Sequence, residues 1–348
     1  MNAIKKLSNF LKNSIVLFWW HLPIKRKTRQ NIKTVFFTIF GFLLKNTKPY
    51  KNWVEIRRLT SDIEIISPER CPAEWSIAES NIEVVRKMSR KSGVETVTNI
   101  AIIIHAYYSD IFRDLVERIS KEFSEIPYSV KLYISTIESI ANEVTDILSK
   151  SGLDYEVEVF ANHGRDILPF LRTAEKISSP ETIILKLHTK RSDHRLTGEL
   201  WRKELYNSLL SKDKILKTVE YFNNNRNVGI VGPSGNIVPM SLYFGGNALA
   251  LSYYCNIFNI SAKELKNMLF VAGSMFYART HAIEALIKLQ IPSSMFEEES
   301  GQHDGTMAHA IERVFTLSAY HVGMSIADTS FPKDIEKVHI TENHPYTW

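Results

Sequence analysis

A chain of 348 residues and 40.0 kDa has room for two ordinary domains or one large α/β domain with additions. With 44% hydrophobic and 23% charged residues, 14 Gly and 12 Pro, it is neither collagen-like, low-complexity nor largely disordered. Cys71 and Cys255 are too few for a disulfide scaffold or a four-thiolate zinc site, and they suit a reducing, cytoplasmic setting.

The net charge of +5 joins two unlike parts. Residues 1–58 carry thirteen of the 43 Lys and Arg against a single acid, Glu55, which leaves 30 basic and 37 acidic residues for the rest. In this basic head Ile4, Leu7, Leu11, Ile15 and Phe18 recur at helical spacing, with Lys5, Lys6, Asn9 and Lys12 on the other side. A second apolar stretch, Val35 to Leu44, is broken by Thr38 and Gly41. Ten helical residues reach roughly 15 Å, about half a hydrocarbon core, so neither stretch is expected to span a bilayer. No small-residue cleavage site follows the first apolar run, which argues against a signal peptide. Lys and Arg beside Trp, Phe and Leu suit a helix lying in the headgroup layer of an anionic membrane. A helical hairpin packed on the body is the alternative. The acidic remainder disfavours nucleic acid as a partner. The expected organisation is a basic amphipathic helical membrane-association segment at 1–58, a linker or extension at 59–97 and a folded domain at 98–348.

From Asn99 strands and helices alternate. NIAIIIH (Asn99–His105), SVKLYIS (Ser129–Ser135), YEVEVFA (Tyr155–Ala161) and TIILKLH (Thr182–His188) read as strands, with helices over 110–123, 137–150 and 165–177 between them. VGIV (Val228–Val231) reads as a further strand and Met307–Leu317 as a helix. Repeated strand–helix units predict an α/β fold, a mostly parallel sheet with helices on both faces. Ligands of such sheets bind beyond the carboxyl ends of the strands. Polar clusters do follow strands here: His105-Ala-Tyr-Tyr108, Asn162-His-Gly-Arg-Asp166 and His188-Thr-Lys-Arg-Ser-Asp-His194.

Neither a GxGxxG nor a GxxxxGK[ST] loop follows the first strand, and G-x-S-x-G and H-E-x-x-H are absent. Dinucleotide dehydrogenases, P-loop NTPases, α/β-hydrolases and zincins therefore lose support. Alternation along the fourth strand puts Lys186, His188 and, if the strand persists, Lys190 on one face, with Arg191 and His194 close behind. That cluster suits an anionic ligand such as a diphosphate; the plainer reading pairs Lys186 with a carboxylate. After the third strand, Gly164 permits close backbone approach and Arg165 can clamp a phosphate, while Asp166 is either a ligand contact or a helix-start acid. Asp304 is either a helix cap or a general base; His303 and His309 match no standard metal spacing. FVAGSMFYAR (Phe270–Arg279) is either the floor of a sugar pocket or a core strand with a glycine irregularity at Gly273.

Taken in order, IIIHAYYSD, VFANHGRDILPFL, ILKLHTKRSDH, WRKELYNSLL, VGIVGPSG, FVAGSMFYAR and DGTMAHAIERVF resemble the rhamnan synthesis protein F family of bacterial cell-surface polysaccharide glycosyltransferases. The resemblance runs from about Ile102 to Phe315. It implies a GT-A-like, single Rossmann-type domain over 98–348 that moves a sugar, rhamnose by the family's name, from a dTDP- or UDP-sugar to a lipid-linked glycan. Its expected place is the cytoplasmic face of the inner membrane. Such transferases usually hold a divalent metal on Asp-x-Asp after the fourth strand. This sequence has no Asp-x-Asp, so no metal cofactor is expected, although the sequence does not exclude one. The expectation is that His188 and Lys190, with Arg191 and Arg202, replace the metal's charge, and that Asp304 deprotonates the acceptor if the reaction inverts. His105, Asn162, Gly164, Arg165, Asp166 and Gly273 are then expected to contact substrate. A non-catalytic scaffold and a sugar-phosphate transferase stand as alternatives.

Overall fold

The computed structural model describes residues 24–60, 71–88, 95–189, 198–302, 304–334 and 337–344. The expected helix over residues 4–18, and the expectations for Lys190, Arg191, His194 and His303, lie outside the described residues.

Four strands build the parallel half of the sheet: β1 (Asn99–Ala106), β2 (Ser129–Ile137), β3 (Tyr155–Phe160) and β4 (Thr182–His188). Every residue of β4 and all but the first of β1 are buried, as expected of uninterrupted β-branched runs covered on both faces. Three short strands complete it, β5 (Val228–Gly232), β8 (Phe276–Arg279) and β9 (Ser325–Asp328), in the order β3-β2-β1-β4-β8-β5-β9. β8 runs antiparallel to both neighbours, and the other pairings are parallel. A separate antiparallel pair joins β6 (Ile237–Pro239) to β7 (Leu269–Val271).

Helices cover both faces, so the α/β expectation holds. In chain order they are α1 (Arg26–Leu44), α2 (Lys48–Thr60), α3 (Glu79–Arg86), α4 (Ser109–Phe123), α5 (Ala141–Ser149), α6 (Ile167–Ala174), α7 (Gly198–Leu210), α8 (Lys212–Asn224), α9 (Ala248–Phe258), α10 (Ala262–Asn267), α11 (Thr280–Lys288) and α12 (Met307–His321). α4, α5, α7 and α8 pack as one group and α6, α11 and α12 as the other. The second group meets the sheet through Phe170, Phe276 and Phe315, whose rings pack edge to face.

Within the stretch expected as a linker, α3 buries Ile82 and Val85. Asn81 donates to the Leu289 carbonyl and His321 to that of Val85, which anchors α3 to the body. α1 and α2 form a hairpin docked on α9 and α10. Gly41 lets the two helices close up, since a Cβ there would lie 2.6 Å from the Tyr50 ring. Arg26 lays its guanidinium 3.7 Å from the Tyr243 ring centroid and donates to the Leu242 carbonyl. Among the described residues, no helix is long and apolar enough to cross a membrane.

Candidate functional site

Parallel register sets His105, Ser135 and His188 side by side at the carboxyl ends of β1, β2 and β4. Because β8 runs the other way, the turn before it, Gly273-Ser274, reaches the same rim, where Lys186 pairs with Phe276. The β3–α6 loop supplies Asp166.

These groups form one network. Lys186 Nζ donates to Asp166 Oδ2 at 2.5 Å and to the Ser274 carbonyl at 3.0 Å, so the buried lysine has the carboxylate partner that the plainer reading required. Asp166 stands at the amino end of α6 without capping it, and its charge is spent on this ion pair. His188 Nε2 donates to the Gly273 carbonyl at 3.0 Å and lies 4.0 Å from Asp166 Oδ2. Gly273 N–H in turn donates to Glu312 on α12. Gly273 has φ +89, and a Cβ would lie 2.9 Å from the Trp201 ring, so glycine is required there. His105 shares a 3.1 Å hydrogen bond with Ser135; burial, opposed by Asp166 and aided by His188 and Lys186, pushes its pKa down to about 4, so the ring is neutral.

Thr189, which sequence reading passed over, ties this rim together. Its hydroxyl accepts from the N–H groups of Tyr107 and Tyr108, and its own N–H donates to the His105 carbonyl. The segments that follow β1 and β4 are thereby tied to each other. A small hydroxyl inside a run of charged residues carries no sequence signal of that role. Arg202 sits half-buried on α7, within electrostatic reach of Tyr206, whose hydroxyl donates to the His188 carbonyl.

A second polar group lies across the loop from 297 to 306. Arg165 is turned toward it: Nε meets Glu299, one terminal nitrogen donates to His309 Nε2 at 2.9 Å, and the other to the Gln302 carbonyl. His309 Nδ1 is bonded to the Thr306 hydroxyl at 2.7 Å, so both ring nitrogens are occupied. Gly164 turns the chain with φ +68; a Cβ there would sit 2.5 Å from that of Leu168. Asn162 stays exposed at the head of this loop.

Asp304 does not cap α12; Thr306 does, accepting from His309 N–H. Asp304 instead accepts from Gly246 N–H at 2.6 Å and from the Asn247 side chain at 2.7 Å. Burial alone would raise its pKa, but Arg313, His309 and those two donors outweigh it and hold the carboxyl below its usual value. The FVAGSMFYAR stretch resolves as a turn and core strand, with Arg279 far down β8, donating to the carbonyls of Val228, Glu95 and Phe222. Arg279 is therefore structural. Among the described residues, no three of His, Cys, Asp and Glu are grouped to hold a metal ion.

The sequence pattern described as rhamnan synthesis protein F matches residues 59–324, which is most of the chain. This chain belongs to the rhamnan synthesis protein F family. α1 and all but the end of α2 precede the part that matches the family. Two curated relatives, the uncharacterised protein WxcX of Xanthomonas campestris pv. campestris in strains B100 and ATCC 33913, are each 35% identical to this family member over 246 residues. The alignment covers 70% of the chain and 35% of each relative, so the chain spans about a third of their length. Among solved structures, the mannosyltransferase Ktr4p from S. cerevisiae aligns over 79% of this chain and 83% of its own at 7% identity, with a TM-score of 0.26. Its complex with GDP aligns over 79% and 84%, at 7% identity and a TM-score of 0.28. Likeness of that degree carries no argument about ligand or mechanism.

Proposed function

We propose that this chain is a glycosyltransferase of cell-surface polysaccharide synthesis, moving a sugar from a dTDP- or UDP-sugar to a lipid-linked glycan at the cytoplasmic face of the inner membrane. One observation carries the reading: in a member of a rhamnan synthesis family, Asp166, Lys186, His188 and the Gly273 turn converge at the carboxyl rim of a parallel sheet. The rim is the donor end. There the bond from the anomeric carbon to the diphosphate breaks, and a bond from an acceptor oxygen to that carbon forms.

In this reading His188, Lys190 and Arg191, together with Arg202, neutralise the departing diphosphate in place of a divalent metal. Lys186 is already neutralised by Asp166, so its part is to hold Asp166 and the Gly273-Ser274 turn in place. Arg165 acts as a positioning residue: its three bonds fix the 299–309 segment against the β3–α6 loop. Asp304, kept ionised by its neighbours, takes the acceptor proton in an inverting reaction.

Support for the membrane surface comes from α1. Its body-facing stripe is Arg26, Gln30, Thr34, Phe37 and Gly41, and Ile32, Val35, Phe36, Ile39, Phe42 and Leu43 lie exposed on the other side. Lys25 and Lys27 flank that apolar face at one end and Lys45 and Lys48 at the other, with no acid between residues 24 and 54. Such a face suits an anionic headgroup layer.

The test is turnover on a lipid-linked acceptor with a panel of nucleotide sugars, with and without excess chelator. Release of nucleoside diphosphate is expected, with activity surviving chelation and collapsing in Lys190→Ala. Full metal dependence with a near-normal Lys190→Ala enzyme refutes the cationic substitution. Release of nucleoside monophosphate identifies a sugar-phosphate transferase, and no thermal shift with any donor identifies a scaffold.

A further inference from the structure

A cleft of about 970 Å³ opens between α2, the 72–75 segment, the start of α9, the 294–297 loop and the start of α12. One wall carries Lys45, Lys48 and Lys51, all exposed, and none is drawn into an ion pair among the described residues. Val54, Trp75, Leu249, Phe296 and Met307 give the cleft its apolar lining. Three acids also line the cleft, Glu55, Glu74 and Glu297, and of these Glu74 is exposed. Glu297 accepts from Met307 N–H at the start of α12, and Glu55 is buried in α2.

Two parts of the lining differ in kind. Lys45 and Asn46 directly follow the last turn of α1, where Phe42 and Leu43 are 73% and 69% exposed. Gly246, Asn247 and Gly305 also line the cleft, and the first two donate to Asp304. Asn52 on α2 donates to the Gly245 carbonyl, so the lysine wall and the loop facing Asp304 are one unit. The cleft thus joins an apolar, cation-flanked helix end to a buried carboxylate. Its contents are lysines for an anion and apolar side chains for what the anion is attached to.

We propose that this cleft, resting on the transferase reading above, is the acceptor site, and that Lys45, Lys48 and Lys51 bind the phosphate of a membrane-anchored glycolipid while its chain leaves over α1. The ligand chemistry is a phosphomonoester or diphosphate carried on an apolar chain, for which farnesyl phosphate serves as the probe. Binding there sets the distal sugar hydroxyl toward Asp304.

The test titrates the full chain with farnesyl phosphate, farnesol and inorganic phosphate, and then with farnesyl phosphate in the presence of phosphatidylglycerol vesicles. Farnesyl phosphate is expected to bind saturably and well ahead of the other two, and at least tenfold more weakly to Lys48→Ala/Lys51→Ala, whose exposed positions leave the fold intact. Equal binding of inorganic phosphate overturns the proposal in favour of a simple anion site, and equal binding of farnesol in favour of a greasy pocket. Complete displacement by vesicles overturns it in favour of bulk headgroups, as does indifference to the lysine substitutions. The transferase reading is scored separately on the unaltered chain by the thermal shift with nucleoside diphosphates. A nucleotide shift with lysine-independent farnesyl phosphate binding sinks the cleft assignment alone.

Discussion

Replacing Lys186 by Met tests the network at the sheet rim most directly. Met nearly matches the lysine stem in volume, so packing against Phe170 and Phe276 is retained and the loss is electrostatic. Lys186 is 1% exposed and its partner Asp166 13% exposed, so the carboxylate left behind stays largely out of water. It keeps the Ser274 hydroxyl at 3.4 Å and His188 at 4.0 Å, neither of which replaces a 2.5 Å ammonium contact. Stranding one member of a buried pair costs about 3–5 kcal/mol. For a body of this size that corresponds to a fall of roughly 10 °C in Tm. Asp166→Asn is expected to cost a similar amount by leaving the ammonium unpaired. The double variant Asp166→Asn/Lys186→Met removes both charges and is expected to be more stable than either single one, with a coupling of about 2–3 kcal/mol in a double-mutant cycle. The measurement is urea denaturation of all four proteins at pH 7. A loss below about 1 kcal/mol in Lys186→Met, or additive single effects, would show that the pair does not hold the rim together.

Three further outcomes are expected. His105 is neutral in the fold with a pKa near 4, against 6.5 for the ordinary side chain, so the unfolded chain binds the extra proton between those values. Stability is therefore complete above pH 6.5 and falls as pH drops toward 4, by about 3 kcal/mol for this residue; His105→Gln should flatten that part of a urea-midpoint profile, and an unchanged profile refutes the assignment. Gly164→Ala meets both a positive φ and the Leu168 and Phe296 side chains, so a loss of about 2–3 kcal/mol is expected in thermal melts, with Gly152→Ala, which has open space around it, losing only the backbone share. Cys255 is fully buried and burial raises its pKa, so native protein should react with a thiol reagent at Cys71 alone, and at both thiols in urea. Rapid native labelling of Cys255 would contradict the packing of α9.

The parallel half of the sheet was legible because its strands are apolar, β-branched and buried on both faces, so composition alone marks them. β1 to β4 begin where the runs begin, and His105, Asp166 and His188 from the polar clusters after them lie on the rim where parallel strands must deliver them. β8 was not legible as an antiparallel insertion, because four residues between a glycine turn and a helix carry no direction. That insertion is nonetheless what brings Gly273 and Ser274 to His188 and Lys186.

Residue types marked Arg165, Asp166, Lys186 and Asp304 as groups that need partners, since charge in an apolar setting needs one. Which partner each one takes was decided by tertiary structure: Asp166 for Lys186, twenty residues later; the 299–309 segment for Arg165; Gly246 and Asn247 for Asp304. The basic head divides in the same way. Its sequence made the second half of α1, from Val35 to Leu44, apolar nearly all round, with cations in the first half and just after its end. Only docking on α2 and on the Ser241–Tyr243 turn, with Gly41 against Tyr50, settled which half is core and which half faces outward. Local pattern determines what a segment can form, because backbone preference and burial act over a few residues; contacts between segments far apart in sequence are settled only when their surfaces meet in the folded chain.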